Sequence, residues 1–310
     1  MELLPSGCWP VMLTPMKADL SIDWKGIDGY TEWLIELGAA GLFPNALSGE
    51  MFDLTDDEQL ALIRRVVQAA AGRVPVVASS VAAGDPSAQA ARAAAVAETG
   101  VDAVVLISSL VAPPDATDAE WIENVDHILA ANPDVDFGVY ECPLPFKRLL
   151  PEPTVAHLAR TGRFTFFKDT SDNLATIARR VAATADTRLR IYNAAIGSLR
   201  ASLRLGVAGS SGYAANIYPE LVDWLCRHAV EDEPDVLAVQ RLLTVAEHSV
   251  NLRYPSSAKY LLNISSRLPW EARSRWKPVG IGPHEGEPLR QLSSYLATAD
   301  LGRVTLNSHR

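Results

Sequence analysis

At 310 residues, 48% of them apolar, the chain can build one large α/β barrel or two medium domains and is too long for a small module. Its net charge of -9 at pH 7 speaks against nucleic acid or an anionic membrane surface as partner, since both require concentrated Lys and Arg. No apolar run reaches membrane-spanning length, and the N-terminus lacks the basic, apolar, small-residue order of a signal peptide, so cytoplasmic residence is the expectation.

Taken in order, short apolar runs alternate with amphipathic stretches. Residues 7–13 read as a strand ended by Thr14-Pro15, and 24–37 as a helix. A second strand, 41–45, leads into Ala46-Leu47-Ser48-Gly49-Glu50. Thr55-Asp56-Asp57-Glu58 then spells a capping box for a helix through Ala71, its hydroxyl and carboxylate satisfying backbone donors of the first turn. Strands are expected at 74–78, 103–107 and 136–140, each followed by a helix, at 86–99, 118–131 and 152–160. The sixth strand is the aromatic run Phe164-Thr165-Phe166-Phe167, closed by Lys168, with its helix at 173–183. Strands at 189–192 and 207–211, with helices at 196–205 and 219–229, complete the series.

Eight strand-then-helix units at intervals of about 25 to 35 residues fit a (β/α)8 TIM barrel, an α/β fold, better than an open sheet. The expected organisation is a barrel over 1–230 carrying the active site and a C-terminal helical appendage over 231–310, with helices at 233–250, 257–265 and 288–297. Chemistry in such barrels sits at the C-terminal ends of the strands, where Lys168, Tyr140, Ser48 and Ser211 all fall.

Lys168 carries the sharpest chemical signal. A cation at the end of a buried apolar strand is poorly solvated, and desolvation lowers its pKa from about 10.4. At about 7, half of the amine is neutral and nucleophilic toward carbonyls, which makes Lys168 a candidate Schiff-base former. The alternative is a lysine that leans out of the strand end into water. Cys8, Cys142 and Cys226 are far apart, without zinc spacing, and read as reduced packing thiols. The six histidines form no ligand pattern, so neither metal nor cofactor is expected.

With these residues in view, the chain resembles the dihydrodipicolinate synthase and N-acetylneuraminate lyase family of class I aldolases. The motifs are Gly7-Cys8-Trp9-Pro10-Val11-Met12-Leu13-Thr14-Pro15, Ser48-Gly49-Glu50, Tyr140-Glu141-Cys142-Pro143, Lys168-Asp169 and Ala215-Asn216, five in family order over almost the whole chain. The resemblance implies that Lys168 condenses with the keto carbon of pyruvate or another 2-oxo acid while Tyr140 shuttles protons. It further implies that Leu47, Ser48 and Gly49 form the carboxylate-binding loop and that the Ser211 backbone contacts the keto acid. The iminium then acts as electron sink for C-C cleavage or condensation, or for hydration or dehydration, without a cofactor. A homo-oligomer, dimer or tetramer, is expected on the same ground.

Several positions depart from the family pattern. Pro145 stands where the synthases carry a carboxylate-holding arginine, which disfavours that activity. Ser108-Ser109-Leu110-Val111 replaces the tyrosine of the proton relay, Leu47 replaces its hydroxyl, and Asn193-Ala194-Ala195-Ile196 replaces the sialate enzymes' polar loop. A partly apolar pocket follows as an expectation. Glu141 is a candidate substitute acid or base, an outward carboxylate being the favoured alternative, and Ser109 is a further candidate. The rival functional reading is a non-catalytic 2-oxo-acid-binding or regulatory homologue that lost the relay. A metal-dependent barrel aldolase is a third.

Overall fold

The computed structural model describes residues 3–299. Seven strands form one parallel sheet: β1 (Gly7–Cys8), β2 (Val77–Ser80), β3 (Ala103–Ile107), β4 (Phe137–Tyr140), β5 (Phe164–Asp169), β6 (Arg190–Asn193) and β7 (Gly209–Ser210), in the order β1-β7-β6-β5-β4-β3-β2. Nearly every strand residue is buried, as parallel strands covered on both faces require, and this explains their Val, Ile and Phe content. The connecting helices are α1 (Trp24–Glu36), α2 (Asp56–Ala70), α3 (Pro86–Ala97), α4 (Ser108–Val111), α5 (Asp118–Ala131), α6 (Glu152–Arg160), α7 (Leu174–Ala183), α8 (Leu199–Arg204) and α9 (Pro219–His228). Three more follow: α10 (Pro234–Ser249), α11 (Ser256–Ile264) and α12 (Pro283–Thr298).

The strand expected at 41–45 is not one. Residues 39–43 instead touch both edges of the sheet through single bridges, Cys8 with Ala39 and Leu42 with Val76. Hydrogen bonds from Ala40 N to Cys8 O (2.8 Å), Leu42 N to Pro75 O (2.9 Å) and Val77 N to Leu42 O (2.9 Å) support them. A longer ladder is blocked because Pro44 has no N–H and Asn45 turns to φ 52°. Gly41 is needed here, since a Cβ on it would meet the Trp9 ring at 2.4 Å. The first and eighth expected strands shrink to two residues each. At their junction a Cβ on Gly209 would lie 1.9 Å from Gly7 O, so only glycine allows the backbones to approach. The helix expected over 196–205 splits into a 3₁₀ turn, Ile196–Ser198, and α8.

An interior cluster of Trp9, Phe43, Val77, Val105, Tyr140, Phe166, Tyr192 and Ala208 takes one residue or more from every strand or its flank. Phe166 and Tyr192 stack at 4.7 Å, Trp9 tilts against both at 5.2 Å, and Phe43 meets Phe166 edge-on at 5.6 Å. These rings form a solid floor beneath the C-terminal strand ends. Separate apolar clusters fill the spaces between sheet and helices. Thr55 and Thr117 cap α2 and α5 through reciprocal capping boxes with Glu58 and Glu120.

Candidate active site

Lys168 is the penultimate residue of β5, in register with Tyr140 at the end of β4 and Tyr192 of β6. Alternation along the strand sends Phe166 and Lys168 to the interior face, while Asp169 turns outward to Arg180 of α7. The Lys168 side chain is thus aimed over the aromatic floor. Its Nζ lies 4.2 Å from the centre of the Tyr140 ring and 5.8 Å from that of Phe43, and the residue is 5% exposed.

Burial is the main reason that the Lys168 ammonium is destabilised, and its pKa falls to about 7, with the charges of Cys142 and Glu247 acting the other way. The described residues contain three buried cations, Lys168, Arg180 and Lys259. Arg180 is paired with Glu141 and Asp169, and Lys259 with Glu50 at 2.7 Å, but no carboxylate lies within ion-pair distance of Lys168 among these residues. The expectation that Lys168 is desolvated agrees with this geometry, and the alternative of a lysine leaning into water does not.

Tyr140 is 3% exposed, its hydroxyl interacts with the Cys142 thiol, and burial pushes its pKa well up. It therefore rests as a phenol, able to donate a proton and take it back. Ser48 and Gly49 lie with Leu47 in a 3₁₀ turn, Leu47–Gly49, at the same end. The N–H groups of Gly49 and Glu50 are committed inside the turn, to Ala46 O at 2.9 Å and Leu47 O at 3.0 Å. One donor at this turn is the Ser48 hydroxyl, which is hydrogen-bonded to Tyr254. Leu47 is half-buried against the interior cluster. Gly49 packs tightly enough that a Cβ would sit 2.9 Å from Met12 O. Ser211 is fully buried; its N–H donates to Asn193 O at 2.9 Å, and its hydroxyl has no partner among the described residues.

Glu141 and Ser109 are not brought to Lys168. Glu141 is 0% exposed and turns outward from the barrel interior, as the favoured alternative had it, but into the helix layer rather than into water; Arg180 holds it at 2.6 Å, and it accepts from Leu150 N at 2.7 Å. Its neighbour Tyr140 faces inward, so Glu141 must face the helix layer. The Ser109 hydroxyl donates to Leu144 O at 3.0 Å and that of Ser108 to Arg148 O at 2.8 Å, which pins the 144–148 loop. Glu50 braces the second loop against the C-terminal region, accepting from Lys259 Nζ, the Ser274 hydroxyl and the N–H groups of Arg275 and Trp276.

Four residues stand here without having been assigned a role from sequence: Tyr213, Asn216, Glu247 and Tyr254. Glu247 of α10 is 5% exposed, accepts from Ala214 N at 3.1 Å and interacts with the Tyr213 hydroxyl. Burial raises its carboxyl to about 8, against the opposing pull of that backbone N–H and of Lys168. The Tyr213 and Tyr254 rings lie 4.6 Å apart, and Tyr254 Oη accepts from Asn216 Nδ2 at 3.0 Å. A path of side chains thus runs from Glu247 through both tyrosines to Ser48. The signal for Glu247 was a carboxylate on the buried stripe of Val239, Leu243, Ala246 and Val250. Among the described residues no group of three or more His, Cys, Asp or Glu could hold a metal ion, and no helix is long and apolar enough to cross a membrane.

Residues 4–281 match the sequence profile of the Dihydrodipicolinate synthetase family. A 4-hydroxy-tetrahydrodipicolinate synthase of Pseudomonas savastanoi pv. phaseolicola is 26% identical over 290 residues, 92% of this chain and 96% of that protein. An uncharacterised DapA-like lyase of Halobacterium salinarum is 31% identical over 220 residues, 70% of this chain and 69% of that one. Among solved structures, a chloride-inhibited dihydrodipicolinate synthase from Acinetobacter baumannii in complex with pyruvate has TM-score 0.83 at 20% identity, over 93% of this chain and 98% of that chain. A prophage protein of the dihydrodipicolinic acid synthase family from E. coli K12, also in complex with pyruvate, has TM-score 0.82 at 19% identity, over 94% and 97%. At such identities the likeness is one of fold. The expectation from Pro145 that synthase activity is disfavoured finds no support in these relatives.

Proposed function

The chain belongs to the dihydrodipicolinate synthetase family, and from that premise we propose a class I lyase that forms a Schiff base between Lys168 and pyruvate or another 2-oxo acid. Of the expected division at 230/231, residues 3–230 make up its (β/α)8 barrel, with segment 39–43 in the place of the eighth strand, and 231–299 its helical appendage; 1–2 and 300–310 lie outside the described residues. The observation that carries the reading is a buried, unpaired amine of pKa about 7 against the ring of a buried phenol. The amine nitrogen bonds to the keto carbon and the carbonyl π pair moves to oxygen. Tyr140 carries protons between nitrogen and oxygen until water leaves and the iminium remains. Ser48 and the unpartnered Ser211 hydroxyl hold the substrate's carboxylate end. The iminium then accepts the electron pair of a breaking C-C or C-H bond, which serves cleavage and dehydration alike. Membership in a family with pyruvate-bound solved members supports a small 2-oxo acid as ligand.

Reduction with borohydride in the presence of pyruvate is expected to fix the adduct mass on the Lys168 peptide. A panel of 2-oxo acids in the same assay ranks substrates, and unmodified Lys168 throughout would refute the reading. A second reading, 2-oxo-acid binding without turnover, is favoured by one observation: Leu47 and the committed Ser109 hydroxyl leave no relay to Tyr140 in the family manner. Ligand-dependent stabilisation with no product from any acid in the panel is what that reading predicts.

A further inference from the structure

Lys259 sits in α11, far in sequence from every strand, and is 0% exposed. Its Nζ donates to Glu50 at 2.7 Å and to Arg273 O at 2.7 Å. A buried ion pair seldom stabilises more than two well-packed apolar side chains would, so stability alone does not account for it. The backbone at Glu50 suggests what else the pair does. Its φ of 65° puts a residue with a side chain in the left-handed region, which persists only where the surroundings hold it.

Four donors hold it here. Lys259 Nζ and the Ser274 hydroxyl reach the Glu50 carboxylate at 2.7 and 2.9 Å, and the N–H groups of Arg275 and Trp276 at 2.6 and 3.1 Å. Through its second bond, to Arg273 O, Lys259 also ties α11 to that segment. The Glu50 N–H in turn closes the Leu47–Gly49 turn on Leu47 O at 3.0 Å, so the hold on Glu50 is a hold on the turn that carries Ser48. On the other side of Gly49, the Ser48 hydroxyl is bonded to Tyr254, just ahead of α11. Asn216 Nδ2 donates to Tyr254 Oη at 3.0 Å and to Val11 O at 2.9 Å. Gly49 O itself accepts from the Thr14 hydroxyl at 2.7 Å. Both neighbours of Gly49 are thus gripped from one short stretch, 254–259.

We propose that Lys259 is a positioning residue for the carboxylate of the 2-oxo acid: through Glu50 it holds the Leu47–Gly49 turn so that the Ser48 hydroxyl meets the ligand. α11 and the segment after it are then a working part of the binding site. The inference rests on the reading of Ser48 as a carboxylate holder in the Schiff-base site. Arg180 supplies the contrast within the molecule. It is equally buried and paired, but its bonds go to Glu141, Asp169 and Leu150 O in the helix layer. Lys259 takes no part in bond making, so its loss acts on the hold on the acid and not on the reaction of the acid once held.

The test is the pyruvate concentration that half-saturates adduct formation at Lys168, trapped with cyanoborohydride, together with the limiting rate at saturation. The full chain is compared with Lys259→Met, Ser48→Ala, the two combined, and Arg180→Met, each checked by a thermal melt. Lys259→Met is expected to raise the half-saturating concentration about tenfold and to change the limiting rate by less than about twofold. Arg180→Met is expected to leave both unchanged. Added to Ser48→Ala, Lys259→Met should cost less than about threefold more, because it acts through the same hydroxyl. Should Lys259→Met fail to fold, Glu50→Gln is read by the same criteria, since its amide oxygen can still accept from Ser274 and the two N–H groups. A folded variant that binds pyruvate like wild type overturns the role of Lys259 and leaves the readings of Ser48 and Lys168 standing. The same follows if its effect multiplies in full with that of Ser48→Ala, or if Arg180→Met weakens binding equally. Ser48→Ala with wild-type half-saturation overturns the Ser48 reading and this inference together, and a wild type that forms no adduct overturns the Lys168 reading as well.

Discussion

Two consecutive residues of β5 show opposite treatments of buried charge. Asp169 turns to the helix layer, where Arg180 satisfies it and Glu141 together; Lys168 turns to the interior, where only rings and distant acids surround it. Both are desolvated, so burial alone does not set them apart. The difference is the counter-charge: a buried ion needed for structure is paired and hydrogen-bonded, while one needed for chemistry is left unpaired and titrates near neutrality. Glu50 with Lys259 repeats the first pattern, while Glu247, among the described residues, is likewise buried without a cation within ion-pair distance.

The largest effect on the chemical side of this comparison is expected from Lys168→Ala, which should abolish the pyruvate adduct and lower turnover by on the order of 10⁴ or more while the protein stays folded. Retained turnover in steady-state assays would place the nucleophile elsewhere. On the structural side, Arg180→Met leaves Glu141 and Asp169 unpaired in the helix layer and should cost about 3–5 kcal/mol in chemical denaturation. Activity per folded molecule should change little. If that variant instead lost turnover without losing stability, the division between the two faces of β5 would not hold. Tyr140→Phe removes a proton carrier and little packing, so kcat should fall by about 10² to 10³ with an unchanged melt.

A smaller, opposite-signed effect concerns stability and pH. The Glu247 carboxyl is raised from 4.5 to about 8, so it favours the folded state most below pH 4.5, and that contribution is lost as pH rises through about 8. Lys168 is lowered, so its contribution is present above 10.5 and lost as pH falls through about 7. The two slopes oppose each other only between about 7 and 8. Glu247→Gln should remove the decline that begins near 4.5 and stabilise the protein by about 3 kcal/mol at pH 8, read from denaturation curves across pH. A variant less stable than wild type at that pH would mean that the carboxylate is a needed ionic contact.

How far the sequence reveals these features follows the range of the interactions concerned. The helices at 118–131 and 152–160 were placed to the residue because a capping box and a proline in the first turn are local signals. Lys168 was legible because a cation ends an aromatic run. Segment 41–45 was not, since its apolar residues fit a strand while Pro44 and the turned Asn45 limit it to bridges. The burial and pairing of Glu141 were not legible, because its partner, Arg180, lies 39 positions away on another element. The apolar stripe of α10 carries Glu247, but only tertiary packing reveals that the carboxyl is buried and that this stripe meets Tyr213.

The central claim concerns the ionisation of one amine, and lysine labelled with ¹³C at Cε reports it directly by NMR. The Lys168 signal, assigned by its loss in Lys168→Met, is predicted to titrate near pH 7, well below the ordinary lysine range. A Lys168 signal that titrates near the ordinary lysine value of about 10.4 would contradict the account.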